Sequence, residues 1–220
     1  MKTDTAHEYW NGTWSDEERR AKWETPDPRI VAYARSLPPN RRVLDLGCGV
    51  GRHALYYAAA GHQVAAIDAA PDGLAELDQA AAAAGLRVET RLTKMDALPF
   101  DDQSFDHVLS FNVIYHADEE ILSRTIAEIH RVLRPGGSYQ GTMLTHRGLA
   151  MTQAELPGGR EVSRNTWVFE DDIGDKRHPH HFCRAADIVR LFAGFEVMLL
   201  EDEVLDPDRD GHWHLILERV

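Results

Sequence analysis

The chain has 220 residues, a formal net charge of −12 and two cysteines. This length suits one domain with a sizeable buried core. The acidic balance argues against a DNA or RNA substrate, because nucleic-acid binders normally present a basic face. The two distant cysteines predict no disulfide framework, and a polar start without a long apolar run predicts neither export nor membrane insertion. We therefore expect a soluble cytoplasmic protein, either a monomer or a homodimer.

Residues 1–40 precede the first apolar strand and are predicted to form a helical extension that caps the domain. The spacing indicates two short helices here, over 15–23 and 30–37, broken by prolines between them. Three tryptophans fall in this segment: Trp10, Trp14 and Trp23. We expect Trp23 to form a pocket wall, whereas for the other two simple packing onto the domain is at least as good an interpretation.

A short apolar run over 42–46 is typical of a buried parallel strand, and three alternating glycines follow it at once: Gly47, Gly49 and Gly51. Glycines allow unusual backbone angles and let a ligand approach the backbone N–H groups closely. A predicted helix over 52–60 then places this bend at a helix N-terminus. A second apolar strand over 63–67 ends on Asp68, where a carboxylate can accept both hydroxyls of a ribose.

The run 43–52 resembles the first motif of class I S-adenosylmethionine-dependent methyltransferases. Its third glycine comes one place earlier than in a dehydrogenase fingerprint, and Asp45 just before the bend also fits the methyltransferase pattern. A second match, over 131–137, ends in Leu-Arg-Pro-Gly-Gly. The N-terminal segment and the His-His-Phe run at 180–182 look most like small bacterial methyltransferases of the tellurite-resistance-like or "type 11" groups.

The resemblance implies an α/β fold: a Rossmann-like, seven-stranded, mostly parallel sheet with helices on both faces and an antiparallel last strand. The methyltransferase domain would occupy residues 41–220. The cofactor would be S-adenosyl-L-methionine, which leaves as S-adenosyl-L-homocysteine. Asp68 would hold the ribose, while Asp96 and the backbone of Ala97 would hold the adenine. The full predicted cofactor set is Trp23, Asp45, Gly47, Cys48, Gly49, Gly51, Asp68, Ala69, Asp96, Ala97 and Asn112.

The remaining pattern predicts further elements in chain order. They are helix 72–84, strand 86–92, strand 105–112, helix 118–133, strand 138–144, helix 184–193, strand 195–204, a turn at 206–211 and strand 212–220. Between them, 145–183 is polar and lacks periodicity. A stretch of this length inside a compact domain is usually functional, so we expect a lid or substrate insert there.

Histidines and aromatic residues supply the candidates for chemistry. We expect His116, after the fourth strand, and His181, in the insert, to act as general base or substrate contact. Further candidate substrate contacts are Tyr115, His146, Trp167, His180, His212 and His214. A metal site is the alternative for these imidazoles, but no fixed-spacing ligand motif accompanies them, so substrate contact is preferred and no metal is predicted.

The predicted activity is in-line methyl transfer to a small-molecule acceptor through an oxygen, nitrogen, sulfur or chalcogen nucleophile. Two alternatives stay open. The glycine bend also occurs in nicotinamide-dependent oxidoreductases, and the fold could serve as a non-catalytic S-adenosylmethionine-binding module.

Overall fold

The computed structural model describes residues 3–171, 174–202 and 211–220. Ten strands occur in these ranges: β1 Arg42–Leu46, β2 Gln63–Asp68, β3 Val88–Leu92, β4 Phe105–Ser110, β5 Leu133–Thr145, β6 Arg160–Ser163, β7 Thr166–Val168, β8 His180–Cys183, β9 Phe195–Asp202 and β10 His212–Arg219. Eight helices accompany them: α1 Ala6–Trp14, α2 Glu17–Ala21, α3 Pro28–Ser36, α4 Arg52–Ala59, α5 Pro71–Ala84, α6 Glu119–Val132, α7 His146–Glu155 and α8 Ala185–Leu191.

The main sheet has seven strands in the order β3-β2-β1-β4-β5-β10-β9. The first five pair in parallel, and β10 runs antiparallel to both of its neighbours. The predicted mostly parallel sheet with an antiparallel last strand is therefore confirmed. Because β1 lies in the middle, the carboxyl ends of β1, β2 and β4 meet at one edge, where ligands bind in sheets of this kind.

Helices cover both faces of the sheet, as predicted, because its buried parallel strands are apolar on both sides. On one face, Leu44 packs with residues from α6 and α8. On the other, Val43 packs with Tyr57 of α4 and Leu77 of α5. Of the described helices, none combines the length and the apolar character that crossing a bilayer requires.

The helix ends follow ordinary capping chemistry. The Asp118 side chain accepts a hydrogen bond from the Ile121 N–H and caps α6, and Asp27 caps α3 with Pro28 at its first position. Gly85 ends α5 in the left-handed region, at φ +66°. These local signals are why most of the predicted boundaries agree with the structure to within a few residues.

Two regions differ from the sequence prediction. The N-terminal extension contains an additional helix, α1, and Asp16 rather than Ser15 caps the helix that follows it. The segment 145–183 is not irregular: it carries α7 and a small antiparallel unit of β6, β7 and β8, which joins the main sheet through β5. These strands have only three or four residues, too few for an apolar alternation to predict them. Residues 206–210 of the predicted turn lie outside the described ranges.

Candidate active site

The glycine bend after β1 has the geometry that its sequence predicts. Gly47 and Gly49 have φ angles of +74° and +53°, and the Gly47 N–H donates to the Ile67 carbonyl at 2.8 Å. A Cβ at Gly47 would lie 2.3 Å from Cγ1 of Val113. The backbone there is therefore in a conformation that favours glycine, and no side chain fits between it and the exit of β4.

Asp68 ends β2 and holds the bend in place. One carboxylate oxygen accepts from the Gly49 N–H and the other from the Ala70 N–H, both at 2.8 Å. Burial raises the pKa of the Asp68 carboxyl, and these N–H donors oppose that shift. Each oxygen keeps a second acceptor position, so the carboxylate can still accept hydrogen bonds from a ligand.

A cavity of about 1040 Å³, measured out to its open mouth, lies above this edge of the sheet. Its floor consists of the glycine bend and the exits of β2, β3 and β4. Its opposite wall comes from the N-terminal extension, mainly Trp10, Trp14 and Trp23, which we call the tryptophan roof. The floor is thus polar backbone with carboxylates, whereas the roof is aromatic.

The tryptophan roof is a closely packed aromatic cluster. Trp10 stacks on Trp14 at 5.1 Å between ring centroids, and the Trp23 ring meets Trp14 edge-on at 6.1 Å. Trp14 also lies directly on the bend, since a Cβ at Gly49 would be 2.7 Å from its ring. Two features therefore favour glycine at position 49: the positive φ of its backbone and the Trp14 ring, which leaves no room for a Cβ.

Polar contacts attach the roof to the domain. Asn11 and Asp72 form a reciprocal pair, in which Asn11 donates through its side-chain amide at 2.9 Å and accepts from the Asp72 N–H at 3.0 Å. At the other side of the cavity, Asp4 forms an ion pair with Lys94 just beyond β3. The extension is consequently fixed to the start of α5 and to the exit of β3.

Part of the chain is similar to known methyltransferases. A family model described as a methyltransferase domain matches residues 43–137. YodH, an uncharacterized methyltransferase of Bacillus subtilis, is 33% identical over 113 residues, which cover 51% of this chain and 47% of YodH. Residues 43–137, less than half of the chain, therefore match a methyltransferase domain. The chain's match spans about half the length of the curated relatives or less.

Solved structures share the fold over nearly the whole chain. The PH0226 protein of Pyrococcus horikoshii aligns with a TM-score of 0.74 at 22% identity, covering 94% of this chain and 93% of that one. A second structure is that of Burkholderia thailandensis 1,6-didemethyltoxoflavin-N1-methyltransferase with bound 1,6-didemethyltoxoflavin and S-adenosylhomocysteine. It aligns with a TM-score of 0.72 at 21% identity, covering 98% of this chain and 88% of that one. The family model and these structural neighbours support S-adenosylmethionine as the cofactor.

Most of the predicted cofactor residues line the cavity above the glycine bend. They are Trp23, Gly47, Cys48, Gly49, Asp68, Ala69, Asp96 and Asn112. The Asp96 carboxylate accepts from the Arg124 guanidinium at 3.0 Å. Asn112 has φ +63°, and Thr142 fixes it by accepting from its N–H at 2.7 Å and donating to its side-chain oxygen at 3.0 Å.

Three further predicted cofactor residues are not among the residues that line the cavity. Asp45 is buried and accepts from the Ala54 N–H at 3.0 Å, so its carboxylate stabilises the start of α4; burial raises its pKa to about 7. Gly51 is glycine because a Cβ there would lie 2.2 Å from Leu77 of α5. The Ala97 carbonyl accepts from a threonine hydroxyl at 3.4 Å in the exposed turn after β3.

The two predicted catalytic histidines have different surroundings. His116 lines the cavity, and neither ring nitrogen has a hydrogen-bond partner among the described residues. Burial holds the pKa of His116 well below its usual range, so the ring is neutral at pH 7. His181 is not at the cavity: its ring bonds to the Thr166 hydroxyl at 3.0 Å, and burial lowers its pKa to about 4. His181 is therefore corrected to a structural residue of β8.

The predicted substrate contacts also lie outside the cavity. Tyr115 and His212 contact each other at 3.2 Å behind its wall. Trp167 stacks on Phe169 within the insert, His146 begins α7, and His214 lines a separate cavity between α3 and β10. Only His180 comes near, because its ring meets the His116 ring edge-on at 4.5 Å.

Several lining residues were not predicted. Trp10 and Trp14 are four residues apart, a spacing that places both on one face of a helix, but α1 itself was not expected. Arg52 and His53 follow the glycine bend directly, so their position in the motif was a usable signal. Phe111 ends β4 beside Asn112 and could have been found in the same way.

Proposed function

We propose that the protein transfers the methyl group of S-adenosylmethionine to a small-molecule acceptor with an oxygen, nitrogen, sulfur or other chalcogen nucleophile. The observation that carries this proposal is one cavity that joins the glycine bend and Asp68 to the tryptophan roof and His116. Concave sites of this kind, with an aromatic wall and a few convergent polar groups, are typical of small-molecule binding. A bulky macromolecular acceptor would have to pass the roof, and the charge of −12 opposes nucleic acid.

The residues present fit the cofactor. The bend is a cradle that a Cβ would fill, so a ligand can approach its backbone closely. Asp68 has acceptor positions left for ribose hydroxyls, and Asp96 offers a carboxylate at the exit of β3. The aromatic faces of the roof suit a positively charged sulfonium.

The sulfonium supplies an already activated methyl group, so the protein has to position the acceptor in line and exclude water. The tryptophan roof closes the cavity on the side opposite the bend. His116 provides a polar group toward the exit of β4, next to Asn112. The Burkholderia enzyme of the same fold, with its small heterocycle and S-adenosylhomocysteine, supports an acceptor of this size.

Calorimetry with S-adenosylhomocysteine tests the cofactor half of the proposal. We expect saturable binding at one site, and Asp68→Ala should weaken it by about 2 kcal/mol, or roughly 30-fold, because charge-assisted hydrogen bonds are lost. Asp101→Asn is the matched control, since Asp101 is an exposed carboxylate away from the cavity. Unchanged affinity in Asp68→Ala would remove Asp68 from the site.

Methyl transfer itself is tested with a panel of phenols, thiols, amines and chalcogen anions. Product formation with at least one class, dependent on S-adenosylmethionine, is the expected result. Saturable NADH binding without S-adenosylhomocysteine binding would favour an oxidoreductase. Tight cofactor binding without product from any class would favour a non-catalytic binding module.

A further inference from the structure

Three side chains meet behind the cavity wall formed by the exit of β4. His116 comes from the segment after β4, whereas Asp175 and His180 come from the insert. One donor atom from each lies within 4.8 Å of the others. We call these residues the His-Asp cluster. It is enclosed, because His180 is fully buried and His116 nearly so.

The distances in the His-Asp cluster match a shared ligand. One oxygen of Asp175 lies 3.4 Å from Nε2 of His180 and 4.0 Å from Nδ1 of His116. Two atoms that each bind one ion at about 2.1 Å are about 3.4 Å apart in tetrahedral geometry and never more than about 4.2 Å apart. The Asp175–His180 distance already fits, the Asp175–His116 distance has to shorten by about 0.6 Å, and the two imidazole nitrogens, which lie within 4.8 Å of each other, approach by at most about 1.4 Å.

The hydrogen bonding of His180 leaves one of its ring nitrogens facing Asp175. Nδ1 of His180 lies 2.8 Å from the His178 carbonyl, which can only accept, so Nδ1 donates to it. Nε2, which lies 3.4 Å from the Asp175 carboxylate, is then the ring nitrogen available to bind an ion. Such a hydrogen bond from the far ring nitrogen to a carbonyl is also how metal-binding histidines are usually oriented.

His116 is the second ring that faces the cluster. Both of its ring nitrogens are buried and lack a hydrogen bond of good geometry among the described residues. Lys176 contacts the other carboxylate oxygen at 3.9 Å, on the side away from the imidazoles. Burial raises the pKa of the Asp175 carboxyl, but His180 and Lys176 outweigh it and hold that pKa below its usual range.

We propose that His116, Asp175 and His180 bind a divalent transition-metal ion beside the acceptor end of the cavity. Two imidazoles and one carboxylate are the donors of zinc and iron(II) sites, whereas Mg²⁺ and Ca²⁺ prefer oxygen ligands. The metal replaces the general-base role that the sequence suggested for His116. It also explains why part of the insert packs against a residue of the cavity wall.

The function of the ion rests on the proposed methyl transfer. A three-ligand site keeps a coordination position for a further ligand, which here would be the acceptor's hydroxyl or thiol. The acceptor's proton passes to water, its oxygen or sulfur forms the bond to the methyl carbon, and the carbon–sulfur bond of the sulfonium breaks. S-adenosylhomocysteine and the methylated acceptor are the products.

Zinc titration tests the site without any methyl transfer. The full chain, stripped with EDTA, should bind one Zn²⁺ by calorimetry and should give no saturable heat with Mg²⁺. Asp175→Asn and His180→Ala should each weaken Zn²⁺ binding by about 100-fold or more, since even residues that only support ligands contribute about 10–100-fold. His130→Ala is the matched control, because His130 lies on α6 away from the cluster and should leave Zn²⁺ binding unchanged.

Two further measurements decide the outcome if a variant folds poorly. The S-adenosylhomocysteine affinity of each variant reports whether the cofactor end of the cavity is intact. If the wild type does not bind S-adenosylhomocysteine, that result counts against the proposed function and not against the metal site. Wild-type crystals grown with Zn²⁺ should show an anomalous peak between His116, Asp175 and His180. No Zn²⁺ binding, an equal loss in His130→Ala, or a peak only elsewhere would overturn the metal site.

Discussion

The burial of Asp45 predicts an unusual dependence of stability on pH. Its carboxyl is only 2% exposed, within β1, and accepts a single hydrogen bond, from the Ala54 N–H. Burial raises its pKa from 3.8 to about 7, while the Ala54 N–H and the nearby Arg52 guanidinium oppose the shift. The informative perturbation is Asp45→Asn, because the amide keeps an acceptor for Ala54 and cannot ionise.

The sign and size follow from linkage. Between pH 3.8 and about 7 the folded protein binds a proton at Asp45 that the unfolded chain does not, so the free energy of unfolding falls as pH rises. The full loss is about 4 kcal/mol, of which roughly 2–3 kcal/mol falls between about pH 5 and pH 8. His53 and His107, whose pKa values burial lowers to about 3, act in the opposite direction. Both histidines are present in wild type and variant, so their contributions cancel in the difference between the two free energies of unfolding.

Urea unfolding at several pH values in this range measures the effect. The stability of Asp45→Asn relative to wild type should increase by roughly 2–3 kcal/mol from about pH 5 to pH 8. At low pH the variant should be the less stable protein, because its amide leaves a buried donor unpaired. Asp101→Asn should follow the wild-type pH profile. Parallel profiles for wild type and Asp45→Asn would show that Asp45 is ionised in the folded state and would refute the burial argument.

Two smaller predictions concern the bend and the insert. Gly49→Ala should weaken S-adenosylhomocysteine binding at least about tenfold in calorimetry, because the new Cβ would displace Trp14. Gly61→Ala is the control, since Gly61 also has a positive φ but has open space around it. This control variant should lose about 1 kcal/mol of stability to backbone strain and bind S-adenosylhomocysteine as the wild type does. His181→Ala should lower the free energy of unfolding by about 1–3 kcal/mol, because the variant leaves the buried Thr166 hydroxyl without its imidazole partner. A tenfold change in cofactor affinity would contradict a structural role for His181.

The sequence predicted the parts of this protein that depend on local pattern. Apolar runs such as 42–46 indicate buried strands whatever surrounds them, and the alternating glycines mark a bend that few other residues can form. The antiparallel last strand and the roles of Asp68 and Asp96 came from the family resemblance. Asp45 and Gly51 were assigned to the cofactor because they belong to the same motif, but the Asp45 carboxylate binds the first turn of α4 and Gly51 leaves room for Leu77 of α5.

Tertiary contacts that join distant segments were not predictable from periodicity. Trp14 reaches the bend only because α1 crosses the sheet edge and Asn11 pairs with Asp72, and nothing local in residues 6–14 indicates that contact. His116 and Asp175 belong to segments whose separation is set by the fold of the insert. Its strands β6 to β8 have only three or four residues, so no sequence pattern predicts where they place Asp175 and His180.

A continuous series of contacts connects the cofactor end of the cavity to its acceptor end. The Asp68 carboxylate accepts from the Gly49 N–H, Gly49 lies against the Trp14 ring, and Trp10 stacks on Trp14. Trp10 in turn meets the ring of His116 at 6.1 Å. A ligand that fixes Asp68 and the bend therefore also restricts the tryptophan roof. The same aromatic helix thus closes over the cofactor and shapes the acceptor space, which ties acceptor selection to residues outside the sheet.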